Sequence, residues 1–107
     1  MTTHEKLLAK VRQVFPGSDA AGVLRLLAGY TGPERLRVQL AIVKLSDEDG
    51  RACPTHFLEC ARQDHRDVLV WAESPQQLRP DIFSLSVTER AKVVKADRQQ
   101  YVRWLAR

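Results

Sequence analysis

The stretch from Glu34 to Leu45 reads ERLRVQLAIVKL and carries apolar residues on two different faces of a helix. At helical spacing these residues form two stripes, Leu36, Leu40 and Val43 on one face and Val38, Ile42 and Leu45 on the other. A helix that is apolar on several sides is buried by neighbours on those sides. Pro33 suits the first position of such a helix. We therefore predict a central, most buried helix at about residues 33–45.

The polar residues of this central helix are expected to reach water at its ends and along a narrow strip. They are Arg35, Arg37, Gln39 and Lys44.

Two amphipathic helices are predicted before the central helix. The first has the apolar positions Leu7, Leu8, Val11, Val14 and Phe15 at three- and four-residue spacing. Pro16 and Gly17 break it, Ser18 can cap the second helix, and that helix is expected to run to about Tyr30.

A polar turn is predicted after the central helix, at Ser46–Gly50 (SDEDG). Pro54 can start a fourth helix, with Phe57, Leu58 and Ala61 facing inward. The segment Asp64–Glu73 (DHRDVLVWAE) either continues this helix or forms a fifth one. Ser74–Asp81 contains two prolines and is predicted to be a loop.

The last predicted helix spans residues 86–107 and begins with a capping box formed by Ser86 and Glu89. Its predicted inner face consists of Val87, Ala91, Val94, Tyr101 and Leu105. Arg98 interrupts this stripe, and its apolar stem can cover the edge of the core while its guanidinium stays in water. We therefore expect the helix to dock on the bundle.

The length of 107 residues and the ordinary composition, 44% hydrophobic and 28% charged, predict one folded domain over residues 1–107. The fold class is all-α, a compact bundle of five to six helices. The first residues lack a basic start followed by an apolar run, and no stretch is long and apolar enough for a membrane span. We expect a cytoplasmic protein that does not enter a membrane.

The charge of the chain is uneven. The whole chain has 17 basic and 13 acidic residues, a net charge of +4. Residues 86–107 contain six basic and two acidic residues and so account for the whole excess. This makes the last helix the best candidate for contact with an anionic partner. The candidate contact residues are Arg90, Lys92, Lys95, Arg98, Arg103 and Arg107.

Four side chains of metal-ligand type, Cys53, His56, Cys60 and His65, lie in a short span. His56 and Cys60 are four residues apart and share a helix face. Structural zinc sites usually join ligand pairs from two separate elements, however, and Cys60 is better read as a small core residue. The cysteines would be about 10 Å apart on one helix, too far for a disulfide. We predict reduced thiols, no metal, no cofactor and no catalytic residues.

Two stretches, Arg37–Ser46 (RVQLAIVKLS) and Arg66–Glu73 (RDVLVWAE), resemble a family of short bacterial proteins, mostly of unknown function. The resemblance covers roughly residues 23–73 and implies only an all-helical fold, and it carries no catalytic residues over to this chain. In the N-terminal half, Val14-Phe15-Pro16 is similar to the ubiquitin-associated CUE module, a three-helix fold. The dileucine of that module is replaced here by Leu45 alone, so the likeness concerns the fold.

The leading functional hypothesis is a non-catalytic interaction module whose partner is another protein. The alternative is a nucleic-acid-binding protein that uses the basic last helix, where Tyr101 and Trp104 lie among arginines. Inward-facing aromatic residues on a solvated basic helix would favour the first hypothesis over the second. An enzyme comes third, because no nucleotide-binding loop or nucleophile motif occurs in the sequence.

Overall fold

A computed structural model describes residues 2–50 and 53–107, so Met1, Arg51 and Ala52 of the predicted 1–107 domain lie outside the described residues. The described ranges are 79% helical and confirm the all-α class. Their helices are α1 (Thr3–Val14), α2 (Asp19–Ala28), α3 (Arg35–Glu48), α4 (Pro54–Gln63), α5 (His65–Glu73) and α6 (Val87–Ala106), with short 3-10 turns at Pro75–Leu78 and Ile82–Ser84. None of these helices is both long and apolar enough to cross a membrane.

Helix α3 is the central helix, as predicted. Every residue from Val38 to Ser46 is buried, and α1, α4 and α5 pack around it. The predicted polar strip is wrong for Gln39 and Lys44, which are both buried. The Gln39 amide donates to the Leu27 carbonyl at 2.7 Å, and Lys44 pairs with Glu48. Gln39 and Lys44 thus bond to other groups of the protein, whereas the sequence pattern predicted that both would bond to water.

The ends of α3 differ from the predicted ones. The helix begins at Arg35 rather than Pro33, because Glu34 adopts a left-handed conformation with φ 51° and occupies the N-cap. It continues through Glu48, so the predicted turn at Ser46–Gly50 is wrong in its first part. The Ser46 hydroxyl donates to the Ile42 carbonyl at 2.8 Å, which satisfies this polar side chain inside the helix.

The loop between α2 and α3 encloses the ring of Tyr30. This ring is 3% exposed, and its hydroxyl donates to the Pro33 carbonyl at 2.8 Å. A Cβ atom on Gly32 would lie 2.8 Å from the tyrosine hydroxyl oxygen, so a side chain at this position would force the enclosed ring to shift. Helix α2 ends at Ala28, two residues before the predicted end at Tyr30, because Tyr30 already belongs to this closed loop.

Helices α4 and α5 are separate, which settles the alternative left open at Asp64–Glu73. Pro54 occupies the first turn of α4, as predicted. Asp64 both ends α4 and caps α5, since its backbone N–H donates to the Cys60 carbonyl and its carboxylate accepts from the backbone N–H of Arg66 at 3.0 Å. A single residue therefore serves both helices.

Candidate interaction surface on the last helix

The N-terminus of α6 is fixed by the predicted capping box. The Ser86 hydroxyl accepts from the Glu89 backbone N–H at 3.1 Å, and the Glu89 carboxylate accepts from the Ser86 backbone N–H at 3.2 Å. Two otherwise unpaired backbone donors are thereby satisfied. The last helix thus starts where the sequence predicts.

The face by which α6 contacts the rest of the protein is not the predicted one. Its buried residues are Val93, Asp97 and Trp104. Val87, which is 76% exposed, Ala91 and Val94, which is 49% exposed, face away from the protein. Tyr101 and Leu105 are half-buried. The prediction of the inner face is therefore wrong for its first three members, and the helix is rotated about its axis relative to the predicted orientation.

Polar contacts set this rotation. The Asp97 carboxylate accepts from the Gln76 backbone N–H at 3.2 Å, and the Trp104 indole N–H donates to the Asp47 carboxylate at 3.0 Å. Both Asp97 and Trp104 are buried, so turning them outward would break these bonds and expose the indole ring. Valines carry no such directional contact, and the helix docks by the face that carries Asp97 and Trp104.

The C-terminal end of α6 is held against α1 and α3 by a compact cluster. The buried ammonium of Lys10 lies 4.7 Å from the centre of the Trp104 ring and donates to the Gln13 side chain at 2.8 Å and to the Arg107 carbonyl at 3.0 Å. The Arg107 guanidinium pairs with Asp47. Burial lowers the pKa of Lys10, as does the positive charge of Arg107, while the negative charge of Asp47 opposes this shift.

The rotation leaves a row of apolar side chains uncovered along α6. We call it the α6 stripe; its members are the exposed residues Val87, Ala91, Val94 and Val102 and the half-buried Leu105, with Arg98 in the middle. Near its C-terminal end the stripe borders a groove of about 500 Å³ between α6 and α1. The α1 side of the groove includes Lys6, Ala9 and Gln13. Val102 also lines a second concave region of about 500 Å³ on α6, so stripe and groove form one continuous surface.

The predicted basic contact residues differ in their availability. Lys92, Lys95, Arg98 and Arg103 are exposed, and in the part of the chain that the structure describes none of them forms an ion pair. Arg107 is exposed but paired, and Arg90 is half-buried. Exposed cations without carboxylate partners are available to an anionic ligand. The structure thus leaves four of the six candidates free for contact.

Sequence reasoning missed two exposed apolar side chains just before α6. Leu78 is 56% exposed and Phe83 is 88% exposed. Each belongs to one of the two 3-10 turns, in a segment that offers no helical or strand periodicity from which a face could be assigned. They add apolar surface to the region that precedes the α6 stripe in the chain.

A small cavity of about 210 Å³ lies where α5 meets α6. Glu73 on its wall forms a bidentate pair with Arg37, at 2.8 and 2.5 Å. Burial and the charge of Glu73 raise the pKa of Tyr101 to about 12. Asp97 has one buried oxygen without a hydrogen-bond partner among the described residues. The Arg37–Glu73 pair links α3 to α5, and Asp97 and Tyr101 of α6 line the same cavity, so this cluster joins the three helices.

The metal-ligand candidates do not form a cluster. Cys60 Sγ lies 3.7 Å from His56 Nε2, and no group of three metal-binding side chains occurs within residues 2–50 and 53–107. A hydrogen bond with Asp49 is the main cause that raises the pKa of the Cys53 thiol. This interaction favours the protonated thiol over the thiolate that binds metals.

Another concave region, of about 530 Å³, lies between the α2–α3 loop and the junction of α4 and α5. Its cationic side chains already have partners, because Arg62 pairs with Glu59 and Arg66 pairs with Asp64. These neighbouring opposite charges leave little net field to attract a charged ligand. The concavity therefore offers less for recognition than the surface of α6.

Comparisons with protein-family models, with curated proteins and with solved structures found no match to this chain. The resemblance to short bacterial helical proteins and the likeness to the CUE module therefore stay predictions from the sequence.

Proposed function

We propose that this protein is a non-catalytic interaction module that binds a partner protein through the α6 stripe and the adjoining groove. The observation that carries the proposal is the row of aliphatic side chains left exposed on a helix that docks by a different face. Val87, Val94 and Val102 are each about half or more exposed, at 76%, 49% and 53%. Contiguous apolar side chains bordered by polar residues are typical of protein contact surfaces.

The aromatic residues of α6 support a protein partner over a nucleic acid. Stacking on bases requires an exposed aromatic face. Trp104 is 6% exposed and engaged by Lys10, and Tyr101 is half-buried. The outward apolar side chains of α6 are aliphatic instead. The free cations of α6 are the observation that favours nucleic acid as the second candidate, since phosphate contacts require basic side chains.

Site-specific photo-crosslinking in cells of the source organism tests the proposal. A photoreactive phenylalanine derivative replaces Val94 in the full chain, and the matched control carries it at Arg25, an exposed position on α2. We expect a discrete protein adduct from position 94 that is absent from position 25 and is lost when Val102→Asp is added. A nuclease-sensitive adduct would support the second candidate, and equal labelling from both positions would contradict both.

A further inference from the structure

We infer that the segment recognised by this surface is an acidic amphipathic α-helix of about five turns, lying along the α6 stripe and entering the groove beside α1. This inference rests on the proposed function and specifies the chemistry of the partner. It depends on three properties of the surface: its shape, its charge and the arrangement of that charge along its length.

The shape fits a helix. From Val87 to Leu105 the stripe is about 27 Å long at 1.5 Å per residue. Its positions, with Arg98 counted among them, recur at three- and four-residue spacing, which matches the spacing of anchors on a helix laid alongside. An extended peptide would instead need the open edge of a sheet, and the described ranges contain helices and turns only. Ala9 and Ala106 in the groove leave room for a larger apolar side chain of the partner.

The charge fits an acidic partner. Every ionisable side chain that lines the groove or the adjoining concave region is basic, among residues of known placement. Lys6, Lys95, Arg98 and Arg103 are all exposed and lack a carboxylate partner there. Arg98 stands within the stripe itself, where its planar guanidinium can take one partner carboxylate in a bidentate pair.

The same charges disfavour a second copy of this chain as the occupant. A twofold dimer brings the same patch of both copies together. With Lys95 and Arg98 near the middle of α6, pairing two stripes would place cations of one copy against cations of the other. Like charges across a contact reduce affinity. An acidic helix places carboxylates at these positions instead.

The direct test measures binding of synthetic helices to the full chain by fluorescence anisotropy. The probe is a labelled 20-residue peptide with leucines at helical i, i+3, i+4 and i+7 spacing and glutamates on both sides. One control peptide has the same composition in scrambled order, and a second has lysine in place of each glutamate. We expect the acidic helix to bind at least about tenfold more tightly than either control, and less tightly as salt is raised.

Variants of the protein complete the test. The double substitution Lys95→Glu and Arg98→Glu should weaken binding of the acidic helix at least about tenfold and create binding of the lysine peptide. Arg25→Glu, a charge reversal of the same type on α2, should change neither. Circular dichroism checks that each variant is folded. Because these positions are exposed and unpaired, their substitution should leave the fold intact.

Several outcomes would overturn the inference. The scrambled peptide could bind equally well, a single-stranded oligonucleotide could bind more tightly than the acidic helix, or the protein could form a dimer that Val94→Asp dissociates. Failure of the inference can be told apart from failure of the proposed function. If the protein adduct at position 94 still forms in the Lys95→Glu, Arg98→Glu variant, the proposal of a protein partner stands and the inference that this partner is acidic fails.

Discussion

Replacing Trp104 by alanine tests the docking of α6 most directly. The side chain is 6% exposed, and burying about 200 Å² of an aromatic side chain at about 25 cal/mol per Å² corresponds to about 5 kcal/mol. The lost hydrogen bond to Asp47 adds about 1 kcal/mol, and the better helix propensity of alanine returns about 0.5 kcal/mol. Because area sums from an extended chain are upper limits, we expect a loss of about 3–5 kcal/mol.

Urea denaturation followed by far-ultraviolet circular dichroism measures this loss as a lower midpoint at similar slope. The matched control is Val102→Ala on the same helix, which is 53% exposed and should change the free energy of unfolding by no more than about 0.5 kcal/mol. If the two variants are equally stable, Trp104 does not hold the helix, and the argument that the burial and hydrogen bond of Trp104 help to select the docked face fails.

Three further predictions concern the core, a loop and the pH dependence. Leu40→Ala in α3, at 4% exposure, should lower the free energy of unfolding by about 2–5 kcal/mol, whereas Leu78→Ala, at 56% exposure, should have little effect in the same urea titration. Gly32→Ala should destabilise the protein by about 1–3 kcal/mol because its methyl group meets the enclosed ring, while Gly22→Ala, with open space around it in α2, should stabilise it by about 0.5–1 kcal/mol in thermal melts. Burial raises the pKa of the Tyr101 hydroxyl from 10.0 to about 12, so the folded protein holds this proton to a higher pH than the unfolded chain does. The resulting contribution to the free energy of unfolding is complete below pH 10 and is lost as the pH rises toward 12. The free energy of unfolding of Tyr101→Phe should therefore fall less than that of the wild type between pH 10 and 12. If the two free energies fall in parallel over this interval, Tyr101 does not have the raised pKa.

The sequence predicts the elements of this fold better than their orientation. The two apolar stripes of α3 are sufficient to identify a central helix, because burial on several sides leaves a pattern within one short segment. The capping box at Ser86 is equally local. The rotation of α6 depends on bonds from Asp97 to Gln76 and from Trp104 to Asp47, whose partners are distant in sequence. Periodicity cannot show such partners, and for this reason the sequence pattern placed Val87, Ala91 and Val94 on the inner face.

The candidate surface could be predicted in part for the same reason. The cluster of cations on the last helix is visible in the sequence, and most of these residues are exposed in the structure. The groove requires α1 and α6 to lie side by side, a contact between the two ends of the chain that Lys10 and Arg107 help to form. No local signal reports a contact between residues so far apart.

The shared role of Asp64 has a mechanical consequence. Because one residue both ends α4 and caps α5, the two helices are joined with no linker residue other than Asp64. Helix α5 touches α6, and α4 touches α2, which leads into the loop around Tyr30. Helices α4 and α5 also pack against the buried helix α3, so the angle between them is set by this packing as well as by the shared residue. A residue inserted at Asp64 would separate the end of α4 from the cap of α5 and so loosen the junction between the two helices.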